Sequence, residues 1–134
     1  MKRILFIIFS LILCSCWQYN VIRENNLNMM NLTTGMNKTE VLEIMGGVKT
    51  FRLTELKTVT NPYKTELTTD TDGNVYEFIW YITEVPNFIY DGTVKDEDLT
   101  PFAFINGELH GWGWNFYFEA KKRYQIDLDV DIKN

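Results

Sequence analysis

Gly35-Met36-Asn37-Lys38-Thr39-Glu40-Val41-Leu42-Glu43-Ile44-Met45-Gly46 carries the start and stop signals of one short helix. Asn37 is an N-cap residue whose side chain can accept a bond from a free N–H of the first turn. Glu40, three residues on, can reach back to the cap's own N–H and complete a capping box, and Met36 with Val41 forms the apolar pair of a hydrophobic staple. Gly46 ends the helix because it can turn left-handed without a steric penalty. Val41, Leu42, Ile44 and Met45 supply an apolar side, with Lys38, Thr39 and Glu43 left for water. A helix of this length needs a larger partner to lie against.

Upstream, Leu27, Met29 and Met30 sit near helical spacing, which predicts a short helix over Asn26–Leu32, broken by Thr33-Thr34-Gly35. Downstream, the pattern changes to strands. Lys57–Thr60 reads as one, ended or placed at an edge by Pro62. Asp72-Gly73 is a hairpin turn signal, and Val75–Thr83 after it is the clearest strand in the chain. Tyr76, Phe78, Trp80 and Ile82 line one side, and Val75, Glu77, Ile79 and Tyr81 the other, so this strand is expected at the centre of the sheet. Val85–Thr100 is a long acidic connection. Phe102–Ile105 then turns at Asn106-Gly107, a type I′ signature, and returns through Glu108–His110.

A two-residue turn pairs Ile105 with Glu108, Phe104 with Leu109, Ala103 with His110 and Phe102 with Gly111. That register puts Trp112 and Trp114 on the face opposite Phe102, Phe104 and Leu109, as an aromatic surface that the helices leave open. A bulge at one of the glycines would instead move the tryptophans inward; the unbulged arrangement is the one expected. Glu119–Gln125 reads as a helical turn. Ile126–Ile132 alternates with period two, as an edge strand or a frayed tail.

The first residues have another character. Lys2-Arg3 and the apolar run Ile4–Leu13 form a secretory signal too short to span a bilayer. It ends in Leu13-Cys14-Ser15-Cys16, which resembles the bacterial lipobox, with Leu at −3, Ser at −1 and cysteine at +1. The resemblance implies that Cys16 is acylated and becomes the first mature residue. Both cysteines fall at this site, so the mature domain has no free thiol and must be held by its core. The boundaries that follow are a signal over 1–15, a lipidated cysteine and tether over 16–26, a domain over 27–118, and a helical turn with an edge strand or tail over 119–134.

The net charge of −5 becomes more negative without Lys2 and Arg3, at 11 basic against 18 acidic side chains. Phosphates and anionic lipid repel such a domain, so nucleic acid is not an expected partner, and membrane attachment is assigned to the lipid. Nucleophilic catalysis lacks its parts, with one histidine, His110, and no Gly-x-Ser-x-Gly element. Asp70, Asp72 and Asn74 have the wrong glycine spacing for a calcium loop. No catalytic residue, metal site or cofactor is therefore expected. Trp112 with Trp114, and Phe88 with Tyr90 in the acidic connection, are the candidate partner-binding residues, because exposed aromatic patches mark contacts.

The lipobox, the helix reading Gly-Met-x-x-x-Glu-Val-x-x-x-Met-Gly and the later strands together resemble the SmpA/OmlA family of small outer-membrane lipoproteins, which includes the BamE subunit of the barrel-assembly machinery. Leu32, Gly35, Met36, Glu40, Val41, Met45 and Gly46 carry the resemblance, with Phe104, Gly107 and Leu109 at the last hairpin. The chain departs from that pattern after Gly46, where Gly47-Val48 replaces the family's usual proline. The resemblance implies an α+β fold like that of the β-lactamase-inhibitor domains, with two short N-terminal helices packed on an antiparallel sheet of three or more strands. It also implies an envelope setting, attachment to the outer membrane, and a protein partner there. The expected function is a non-enzymatic interaction or scaffold module in outer-membrane assembly or maintenance. The alternative is an inhibitor or a sugar- or peptide-binding module that uses an aromatic sheet face.

Overall fold

A computed structural model describes residues 20–52, 58–84 and 93–123. The element order is helix α1 over 20–29, α2 (Lys38–Ile44), β1 (Lys49–Arg52), β2 (Thr58–Asn61), β3 (Lys64–Thr69), β4 (Val75–Ile82), β5 (Leu99–Ile105), β6 (Glu108–Trp112) and α3 (Trp114–Arg123). A one-turn 3-10 helix, Asp96–Asp98, leads into β5. The chain is α+β with two antiparallel sheets, one pairing β1 with β2 and one in the order β3-β4-β5-β6.

The capped helix forms as its sequence dictates. Asn37 Oδ1 accepts from the Glu40 N–H at 3.0 Å, and Glu40 Oε2 accepts from the Asn37 N–H at 2.9 Å. Met36 and Val41 pack in one core, as a staple requires, and Gly46 takes φ +83 beyond the last turn. β4 is an inner strand whose two sides enter different cores. Tyr76, Phe78, Trp80 and Ile82 join Phe51, Val59, Tyr117 and Ala120 on one face; Ile79 and Tyr81 join Val41, Met45, Phe102, Phe104 and Leu109 on the other.

Three expectations change. The N-terminal helices do not form a simple pair on one face: Val21 and Ile22 of α1 enter the first core, Met29 at its end packs against the second beside Val41 of α2, and α3 provides a further helix. α1 also covers residues expected to be tether, because Val21 and Ile22 are buried and Asn25 is enclosed by Asn61 and the end of β4. Finally, α3 begins at Trp114, five residues before the expected helical turn. Gly113 at φ +99 breaks the strand, and the Tyr117 N–H donates back to the Gly113 carbonyl.

The last hairpin keeps its turn and loses its expected register. Asn106 and Gly107 have φ +52 and +86, the two positive values that a type I′ turn requires. Ile105 pairs with Glu108 and Phe104 with Leu109, but a bulge shifts the next pairs to Ala103 with Gly111 and Phe102 with Trp112. A Cβ on Gly111 would lie 2.8 Å from the Phe116 ring, so the missing side chain is what lets α3 approach this strand. The expected tail strand at 126–132 lies outside the described residues.

Candidate functional site

The aromatic candidates are separated by the bulge. Trp112 stands beside Phe102, ring centroids 6.4 Å apart, on the face covered by α2, and is 36% exposed. Trp114 belongs to the opposite face, where its Nε1–H donates to the Leu99 carbonyl at 2.7 Å and its ring meets Tyr117 edge-on at 5.4 Å. Its exposed neighbour is Phe118, at 5.7 Å between centroids. Cys16, Phe88 and Tyr90 lie outside the described residues. His110 is exposed, between the two halves of the bulge.

Gly35, Asn37 and Gly107, singled out as structural signals, come together at one sheet edge. Gly35, at φ +88, delivers the chain to the outer side of β6. Its N–H donates to the Leu109 carbonyl at 2.7 Å, the Leu109 N–H donates to the Met36 carbonyl at 2.8 Å, and the Lys38 N–H donates to the Gly107 carbonyl at 3.0 Å. Asn37 forms a bridge with Glu108. Residues 35–38 thus cap the outer edge of the sheet, and the Lys38–Glu77 ion pair at 2.6 Å ties the same turn to β4.

The other edge differs. Among the described residues, β3 has a strand on one side only. Its residues alternate between exposed and partly covered, and Leu67 is 67% exposed. An uncovered edge presents backbone donors and acceptors to any extended chain. Sequence reading passed over β3 because Lys64-Thr65-Glu66-Leu67-Thr68-Thr69 carries little apolar signal. One was available: a turn at Asp72-Gly73 followed by a strong strand requires a strand before it.

Beside this edge lies a cluster of fixed charges. Lys121 is buried, with Nζ 3.0 Å from Glu66 Oε1 and 4.9 Å from the Tyr117 ring centroid. Tyr117 donates to Glu66 Oε2 at 3.3 Å. Burial alone would lower the Lys121 pKa, but the bonds with Tyr117 and Glu66 outweigh it and raise the value, so the ammonium stays charged. Burial likewise raises the Tyr117 phenol. Lys64, the first residue of β3, lies 4.6 Å from the Trp80 ring centroid and 3.4 Å from Asp96. The Glu66 contacts hold α3 to β3 and the Lys64 contacts hold β3 to β4 and the turn at Asp96, so the cluster braces the edge.

A second polar network locks the turn between β3 and β4. Asp70 accepts from the backbone N–H groups of Asp72 and Asn74, and from the Asn74 amide and the Tyr76 hydroxyl. The bond from Asn74 is the main cause of its lowered pKa. Asn106 donates to Asn74 Oδ1 at 3.0 Å and accepts from the Val75 N–H, which joins the two hairpin tips. No group of three or more metal-ligating side chains occurs among the described residues, and none of their helices is long and apolar enough to cross a membrane. Compared with known proteins, the chain matches no family model, no curated protein and no solved structure.

Proposed function

We propose that this chain is a lipid-anchored bacterial envelope lipoprotein, held by an acylated Cys16, that works by contact with another envelope protein and not by catalysis. The observation that carries the contact reading is the edge of β3, which no strand covers among the described residues, in a sheet whose opposite edge is capped by its own chain. An open edge next to an exposed leucine suits an extended segment of a partner, paired through its backbone and seated through alternate side chains. The acidic balance of the domain adds selectivity against polyanions. The likeness to the SmpA/OmlA family supports the envelope setting and a role in outer-membrane assembly or maintenance. Its two sequence signals, at 35–46 and 104–109, are the segments joined by the Gly35, Leu109 and Lys38 bonds.

A photo-reactive amino acid placed in living cells at Leu67, and separately at Glu108, tests the reading. A discrete adduct with one envelope protein is expected from position 67 and none from position 108. Equal cross-linking from both positions, or from neither, would sink the edge as the contact surface. Labelled palmitate tests the anchor: it should enter the wild type and Cys14→Ala but not Cys16→Ala.

A further inference from the structure

Helix α1 lies across one end of the four-stranded sheet. The Asn25 and Asn26 amides donate to the carbonyls of Ile82 and Thr83, where β4 finishes. The two hairpin tips, joined through Asn74 and Asn106, form the other end. The eight residues of β4 separate these ends by about 26 Å.

The α1 end is not uniformly polar on its outside. Leu27 is 50% exposed and Met30, at the turn that ends the helix, 80% exposed, and their spacing of three places them on one side. Val48 is exposed as well, and the contact of Lys49 Nζ with Glu24 Oε2 at 3.4 Å brings the start of β1 to α1. Only four residue steps separate Cys16 from residue 20, a reach of at most about 14 Å for an extended chain. An acyl group on Cys16 therefore keeps this end, and not the hairpin tips, within range of the bilayer. The excess of acidic over basic side chains rules out attraction to anionic headgroups, which leaves apolar contact as the force available there.

We infer that the α1 end docks on the membrane interface, with Leu27, Met30 and Val48 in the headgroup layer and the hairpin tips directed away. This rests on the lipid-anchor reading, and adds the bilayer itself as a partner that fixes the domain's orientation. The β3 edge, which no strand covers among the described residues, then runs up from the surface toward a partner chain.

The acylated protein, purified from membranes with ¹³C-methyl methionine, can be placed in phosphatidylcholine nanodiscs carrying a gadolinium chelate on some headgroups. Loss of the Met30 methyl resonance is expected. Met36 should lose less, because its backbone bonds to Leu109 beside the Asn106–Gly107 turn while its sulfur turns back only as far as the Thr33 N–H. The surface changes Leu27→Asn and Val48→Asn together should restore Met30 while the protein still floats with lipid. An acylated protein whose Met30 and Met36 signals respond alike would overturn the docking and leave the anchor intact. A protein with no acyl mass on Cys16 would overturn both. Loss of Met30 intensity without gadolinium, growing with protein concentration, would assign the surface to a second copy of the chain and overturn the membrane contact.

Discussion

β3 and β6 border the same sheet and are finished in opposite ways. At β6, the Gly35 turn and the cap of α2 meet the backbone of Gly107 and Leu109, so the edge is occupied by local chain before any partner can reach it. At β3, side chains from α3 brace the strand through Glu66, and no strand covers its outer side among the described residues. A sheet needs only one edge closed to acquire a direction of growth. The contrast implies that stability is concentrated on the β6 side and availability on the β3 side.

The largest effect that could break this contrast is at Leu109. Its side chain is fully buried against the α2 core, so Leu109→Ala should cost about 2–5 kcal/mol in urea unfolding with an unchanged m-value. Next comes the cap of α2. Asn37→Ala removes the acceptor for the Glu40 N–H and should cost about 1 kcal/mol by the same measurement. A smaller effect, confined to acid, belongs to the turn before β4. The native Asp70 carboxyl has a lowered pKa, so its contribution is present above the unfolded value of about 4 and is lost as pH falls through the lower native value. Stability measured from pH 7 down to pH 3 should fall more steeply below about pH 4 in the wild type than in Asp70→Asn. The smallest change is expected at Leu67, where substitution by Ala should alter stability by less than about 0.5 kcal/mol. A loss at Leu67 comparable to that at Leu109 would end the distinction between the edges.

Local signals made part of this fold legible in the sequence. Asn37, Glu40 and Gly46 specify their helix by bonds within a few residues, and Asn106-Gly107 specifies its turn by backbone conformation alone. The alternation from Tyr76 to Ile82 was readable because both faces of β4 are buried. Features that depend on distant partners were not. The polar stretch before Leu27 is helical because Asn25 finds Asn61 and Ile82, which no nearby residue announces. Trp114, expected on a strand face, opens a helix, since its indole is satisfied by Leu99 and the Phe116 ring by the space over Gly111. The aromatic surface expected around Trp112 and Trp114 depended on a register that one bulge shifts. The β3 edge carries weak sequence signal for the reason that makes it a candidate site: a strand half in water needs few apolar residues.

The Asn25–Asn61 pair has a mechanical meaning. The two amides exchange bonds of 3.0 and 2.9 Å in a fully buried position, and Asn25 also holds the Ile82 carbonyl at 2.8 Å. A pull on the proposed anchor enters the domain through α1, and these bonds pass it to β2 and to the inner strand β4 together. The force is shared between the two sheets, so tension at the membrane loads the middle of the fold at β2 and β4 together.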